Sequence, residues 1–137
     1  DEALQMMERF IRQSPLEALF PVASQGEIRD AQALFSQCQV SQPVMQYIAA
    51  LCQATRSDEQ VQLGVSPRGM LALLRAAQAH AAIHGRDFAT PDDVKALAVP
   101  VLSHRVILRG LYGRSGEGEK FIRELLEKVP APTEAQA

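Results

Sequence analysis

Apolar residues along the chain recur mostly at helical spacing. Leu4, Met7, Phe10 and Ile11 follow the three-and-four rhythm of one helix face, and the pattern stops before Pro15. Residues 15–22 form a proline-bracketed apolar connector, expected to lie against the domain. Ser24 with Glu27 three residues on makes a capping box and opens a helix to about Gln37. Ser41 caps the next, with Pro43 in its first turn and Val44, Tyr47, Ile48, Leu51 and Cys52 along one face to about Arg56. A polar loop follows, and Val61-Gln62-Leu63 alternates like a short extended piece.

The segment from Pro67 to His84 predicts the central helix. Met70, Leu71, Leu73, Leu74, Ala77, Ala81 and Ile83 cover so wide an arc that other helices are expected all round it. Gly85 is its expected C-terminal stop. Thr90-Pro91-Asp92-Asp93 starts another helix with a cap, a proline and two acids suited to the helix dipole. That helix turns Val94, Leu97 and Ala98 inward, and Pro100 bends or ends it. The apolar pattern resumes from Val101 to Leu108, Gly110 to Gly118 reads as a glycine-rich loop, and an amphipathic helix closes the chain at about Glu117 to Val129. The reading is an all-α bundle of five to six helices. It divides into a connector helix and linker at 1–23, a helical domain at 24–129, and a disordered polar tail at 130–137.

Composition narrows the class. The 137 residues, 47% hydrophobic and 22% charged, suit one globular domain. A net charge of −2 and no basic recognition helix argue against nucleic acid, and no apolar run is long enough to span a membrane. Cys38 and Cys52 lie in apolar helical patterns without CxxC spacing, which reads as buried free thiols in a cytoplasmic protein. The chain begins at Asp1 in mid-pattern, so a longer parent is expected.

The sharpest anomaly is Ser66-Pro67-Arg68. With Ser66 as N-cap and Pro67 at the first helical position, Arg68 falls in the first turn. A helix N-terminus already carries about half a unit of positive charge and unpaired N–H groups, which favour anions. An arginine there makes sense if a phosphate comes to both. A solvated arginine near a cap remains the other reading of the spacing. Arg75, two turns on, reads as a surface residue.

Other candidates have structural explanations. His80 and His84 have the spacing of two zinc ligands, but the general-base glutamate of HExxH is missing and no third ligand is near, so no metal is assigned. Residues 113–120 faintly resemble a phosphate loop, but Glu119 stands where the lysine belongs and no strand precedes it. Asp92 and Asp93 point about 100° apart on a helix, and capping explains both. Nothing here is a self-contained active site.

Gly64-Val65-Ser66-Pro67-Arg68, then Leu73-Leu74-Arg75-Ala76-Ala77, Gly85-Arg86-Asp87-Phe88, Thr90-Pro91-Asp92-Asp93-Val94 and His104-Arg105, in that order, resemble the C-terminal lid of MoxR-type AAA+ ATPases. A similar pattern occurs in magnesium-chelatase ATPase subunits. The match extends upstream through Pro15-Leu16, Pro21-Val22, Tyr47-Ile48 and Ala54-Thr55-Arg56, and covers most of residues 15–108. The resemblance implies an all-helical lid following an α/β core, with Arg68 as the sensor-2 arginine that contacts the nucleotide γ-phosphate and Ser66 and Pro67 supporting its helix end. ATP and Mg2+ would be bound in the parent, whose core carries the Walker motifs, and this fragment would not hydrolyse ATP. The family further implies hexameric, chaperone-like rings and partners with a von Willebrand factor A domain. The competing reading is an autonomous helical module that recruits a client protein.

Overall fold

The computed structural model of the chain describes residues 2–11, 16, 19–110 and 116–132. It falls into two compact units, Asp1–Ala31 and Gln32–Ala137. The first holds α1 (Glu2–Phe10) and most of α2 (Gln25–Phe35). Leu4, Met6, Met7 and Ile11 are exposed, as are Leu16, Leu19, Phe20 and Val22 of the connector. The capping box at the start of α2 is closed on both sides. The Glu27 amide donates to Ser24 Oγ at 3.2 Å, and the Ser24 amide donates to Glu27 Oε2 at 2.7 Å.

The second unit is built from α3 (Gln42–Ser57), α4 (Pro67–Ile83), α5 (Pro91–Leu102) and α6 (Glu117–Lys128). Its core combines Val44, Tyr47, Ile48, Leu51 and Cys52 of α3 with Leu73, Ala77 and Ala81 of α4, Val94, Ala98 and Leu102 of α5, and Phe121, Ile122 and Leu125 of α6. Small side chains at 77, 81 and 98 allow α4 and α5 their close pairing, the most extensive of the unit. The α4 helix ends on Gly85, whose φ of 72° suits glycine. The Arg86 amide reaches Ala81 O and the Gly85 amide reaches Ala82 O, both at 3.0 Å, which satisfies carbonyls that the helix end leaves free.

Several details differ from the sequence-based expectation. Leu71 and Ile83 are exposed. The buried residues of α4 are Gly69, Leu73, Ala77 and Ala81, a single stripe four residues apart, so α4 presents one face to the core rather than being enclosed. The α5 helix runs through Pro100 to Leu102 and tightens into a 3-10 turn at Ser103–Arg105. The extended piece at Val61–Leu63 is a strand as expected, and three further short strands lie in the connections. In one parallel pair, β1 (Gln39–Val40) sets Val40 beside Ala89 of β3 (Phe88–Ala89). In an antiparallel pair, β2 (Val61–Leu63) sets Val61 beside Leu108 of β4 (Ile107–Leu108). Gly118 belongs to the first turn of α6 rather than to a loop, and residues 111–115 of that expected loop lie outside the described residues. Beyond Val129 the described chain continues through Pro130 to Pro132, with Ala131 packed on the core, while residues 133–137 of the expected tail lie outside the described residues.

Candidate nucleotide-sensing site at the start of α4

The chain entering α4 is tied down before the helix begins. Thr55, fully buried near the end of α3, donates through Oγ1 to Cys52 O at 2.7 Å and accepts from the Val65 amide at 3.0 Å. Arg56 Nε donates to the Val65 carbonyl at 2.8 Å. Both backbone groups of Val65 are therefore spoken for, and its side chain is fully buried. This fixes where Ser66 stands.

Ser66 is the N-cap, in extended backbone, and its Oγ accepts from the Gly69 amide at 3.3 Å. Pro67 holds the first helical position, where a missing N–H costs nothing. Arg68 comes next, exposed, with no hydrogen bond or ion pair among the described residues. No acid lies in the first turn of α4. Gly69 is buried between Val65 and Arg105. A β-carbon at 69 would lie 2.7 Å from Val65 Cγ1 and 3.2 Å from Arg105 Cδ. Arg105 is held there by its Nε, which donates to Val101 O at 2.8 Å.

The structure thus brings Arg56 to the chain entering α4, and Arg105 to Gly69 of the first turn that carries Arg68. Each anchors one Nε on a backbone carbonyl, and no partner is found for their terminal nitrogens among the described residues. Spacing could not have found them, because the hydrogen bonds that place them form only in the fold. Arg75 is exposed, as expected of a surface residue.

A second polar cluster closes on itself. The Asp93 side chain, 2% exposed, accepts from Arg86 Nη1 at 2.7 Å and Nη2 at 2.6 Å, and from the Thr90 amide at 2.7 Å and hydroxyl at 2.8 Å. His80 Nδ1 lies 2.6 Å from the same carboxylate, which can only accept, so the ring donates. Burial pushes the carboxyl up, but the bonds from Arg86, Thr90 and His80 outweigh it and hold Asp93 well below the usual carboxylate range. Capping alone therefore does not account for Asp93. Asp92 fits a plain surface role, exposed beside Lys95 Nζ at 3.2 Å.

His84 Nδ1 contacts the His80 carbonyl at 2.8 Å, and no group of three His, Cys, Asp or Glu that could hold a metal occurs among the described residues. Both cysteines are free and buried; burial pushes the Cys52 thiol up to about 11 against the opposing charge of Arg56, so it stays protonated at neutral pH. Of the faint phosphate loop at 113–120, residues 113–115 lie outside the described residues, and Glu119 is exposed opposite Arg123.

Residues 53–128, which carry this whole site, match the family model of the AAA lid domain. The chain belongs to the AAA lid domain family. The lid is 35% identical over 138 residues to the uncharacterized protein YeaC of Bacillus subtilis, covering all of this chain and 43% of that protein. It is 43% identical over 77 residues to protein MoxR of Methylorubrum extorquens, covering 55% of this chain and 22% of that one. It is 31% identical over 96 residues to the chaperone MoxR1 of Mycobacterium tuberculosis, covering 64% of this chain and 26% of that one. The lid thus spans less than half the length of the curated relatives it matches. A solved structure from Cytophaga hutchinsonii, named a "putative ATPase", superposes with a TM-score of 0.81 at 23% identity, over 96% of the lid and 43% of that chain, and shares its fold. These findings bear out the resemblance to MoxR-type lids. No helix among the described residues is long and apolar enough to cross a membrane.

Proposed function

We propose that this lid is the nucleotide-responsive part of a MoxR-type AAA+ ATPase, and that Arg68 is its sensor-2 residue, contacting the γ-phosphate of ATP. The observation that carries the reading is an exposed arginine without a partner among the described residues, in a first helical turn that holds no acid. Like charges gathered at a positive helix end are unfavourable until an anion joins them. Arg56 and Arg105, each anchored on a carbonyl, add to the positive character of that end. Ser66 and Pro67 serve by fixing the helix start. In this reading the metal and phosphate-loop contacts fall to an α/β core outside this chain, and the lid alone does not turn over ATP.

In this reading residues 24–129 act as the lid and 1–23 lead into it from the core. The parent protein is a hexameric, chaperone-like ATPase of the cytoplasm. It works with neighbouring subunits and with a partner bearing a von Willebrand factor A domain. Support comes from the family match and from the relatives named MoxR, one of them a chaperone.

The test is Arg68→Ala in the full-length protein. Turnover should fall about a hundredfold, the scale expected when a donor to developing transition-state charge is removed, with the melting temperature unchanged. Arg68→Lys should recover only part, because an ammonium lacks the planar fork. Arg75→Ala is the control. Wild-type turnover in assembled Arg68→Ala rings overturns the assignment, and so does unfolding of that variant.

A further inference from the structure

The start of α3 is left unfinished in a way that α4 and α5 are not. Ser41 holds the N-cap position in extended backbone, yet its side chain makes no capping bond. Its Oγ is buried without a hydrogen-bond partner among the described residues. Further along the same helix, Tyr47 is 3% exposed and its hydroxyl is also buried without a partner. A buried hydroxyl without a protein partner carries a desolvation cost that a partner from outside would offset.

Each of these hydroxyl-bearing residues lines a cavity. Ser41 borders one of about 620 Å³, with Val40, Val44, Phe88 and Pro91 among its walls. Tyr47 borders a second of about 400 Å³, with Pro43, Gln46 and Ala50. Ala131 and Pro132 line both, so the chain's own Pro130-Ala131-Pro132 stands between two halves of one trough. Among the described residues that segment fills only part of the trough, and neither hydroxyl has a partner. It is an incomplete occupant.

The walls state what a complete one would be. They are mostly apolar, with proline and aromatic surface at Pro43, Tyr47, Phe88 and Pro91. Burial, with the charge of Asp92 behind it, pushes the Tyr47 phenol up, so it remains a proton donor at neutral pH. Asp92 and Lys95 at the rim pair with each other and leave no net charge to select a charged ligand. An extended proline-containing strand has apolar rings for such walls and backbone carbonyls that no internal hydrogen bond uses. The chain's own segment, which already lies there, is of that chemistry. We propose that the trough is a docking site for an extended, proline-containing segment of a partner protein, which displaces Pro130–Pro132 and offers its carbonyls to Tyr47 and Ser41.

The test titrates the 137-residue chain into a fluorescein-labelled alternating Ala-Pro peptide of about eight residues, long enough for two to three polyproline turns, and reads fluorescence anisotropy. An Ala-Gly peptide of equal length is the control. Saturable binding of the Ala-Pro peptide alone is expected, tightened by Pro132→Gly, which loosens the resident segment. Tyr47→Phe and Ser41→Ala should each weaken binding about five-fold, the worth of one hydrogen bond, without lowering the melting temperature.

Absence of saturable binding to both the wild type and Pro132→Gly overturns the proposal, as does equal binding of the two peptides. Unchanged affinity in both hydroxyl variants overturns it too. A lowered melting temperature in Tyr47→Phe shows that its hydroxyl has a structural partner, with the same consequence. Dimers in light scattering that disappear in Pro132→Gly assign the trough to a second copy of this chain instead.

Discussion

Two helices of this lid begin with the same grammar and opposite content. Ser66-Pro67-Arg68-Gly69 opens α4, and Thr90-Pro91-Asp92-Asp93 opens α5. In both a hydroxyl residue caps and a proline takes the first helical position. At α5 the two following residues are acids, and Asp93 completes a reciprocal capping box and binds Arg86 and His80 as well. At α4 they are an exposed arginine and a buried glycine beside a second arginine. The first arrangement needs nothing from outside. The second gathers positive charge where the backbone already supplies it, and becomes favourable when an anion arrives. A local rule obeyed marks scaffold here, and on the proposed reading the same rule broken marks the place where an anion from outside the lid is required.

The largest break in that comparison comes from Asp93→Ala. It removes the carboxylate that four donating groups share, and leaves the Arg86 guanidinium and the His80 ring without their partner. Arg86 and His80 are each 30% exposed and can turn to water, so the loss is that of the hydrogen bonds to a charged group, about 2–3 kcal/mol, measured by urea unfolding. Arg68→Ala in the same chain should stay within about 0.5 kcal/mol of wild type, as for a surface substitution without a role in packing. Equal costs for the two variants would erase the distinction between a closed and an open helix start.

Acid probes the same cluster without mutation. The Asp93 carboxyl is held below its ordinary range in the fold, so the unfolded chain takes up its proton first. The contribution is therefore complete above about pH 4, the unfolded carboxyl value, and is lost as pH falls from there toward the depressed folded value. Urea midpoints between neutral pH and about pH 2 should fall through this window, and Asp93→Asn should flatten that part of the fall. An identical acid limb in the variant would mean that other carboxylates carry it.

How much of this was legible in the chain follows from the range of the forces involved. The helices at 42–57, 67–83, 91–102 and 117–128 could be read because their caps and apolar rhythm are local. The start of α4 was legible for the same reason. Ser66, Pro67 and Arg68 occupy the positions that their identities imply, and the arginine's misfit with the dipole is a property of three neighbouring residues. The paired strands were not legible as pairs. Each is two or three residues long, and what makes it extended is a partner 44 to 49 residues away, such as Val61 with Leu108. Nor were Arg56 and Arg105 at the mouth of α4, since their placement depends on carbonyls presented by the folded backbone. Asp93 was half legible. Its cap could be read, but the same acid would sit there whether or not Arg86 and His80 closed around it. Leu71 and Ile83 misled because apolarity alone does not say which side of a wide stripe faces solvent.

A smaller effect is expected at the α4 cap itself. Ser66→Ala removes the acceptor of the Gly69 amide and should cost about 1 kcal/mol in the isolated lid. Thermal and urea melts read it directly. No loss would mean that the bond, at 3.3 Å, adds nothing to the helix start.

The smallest expected effect has the most telling sign. Arg68→Glu places a carboxylate where the α4 dipole favours one, in a first turn that has none. The chain should gain about 0.3–1 kcal/mol in stability at low salt. The gain should shrink as salt rises, since the site is exposed and open to screening. If Arg68 contacts the terminal phosphate as proposed, the same substitution in the full-length protein sets a negative charge against it and abolishes turnover. A residue chosen for the stability of its helix cannot improve that stability on reversal of its charge. One held there for an absent anion does so, because the fold has been carrying an unmet repulsion. A destabilised Arg68→Glu chain would show instead that Arg68 has a partner within the lid, and α4 would then join α5 as a helix start complete in itself.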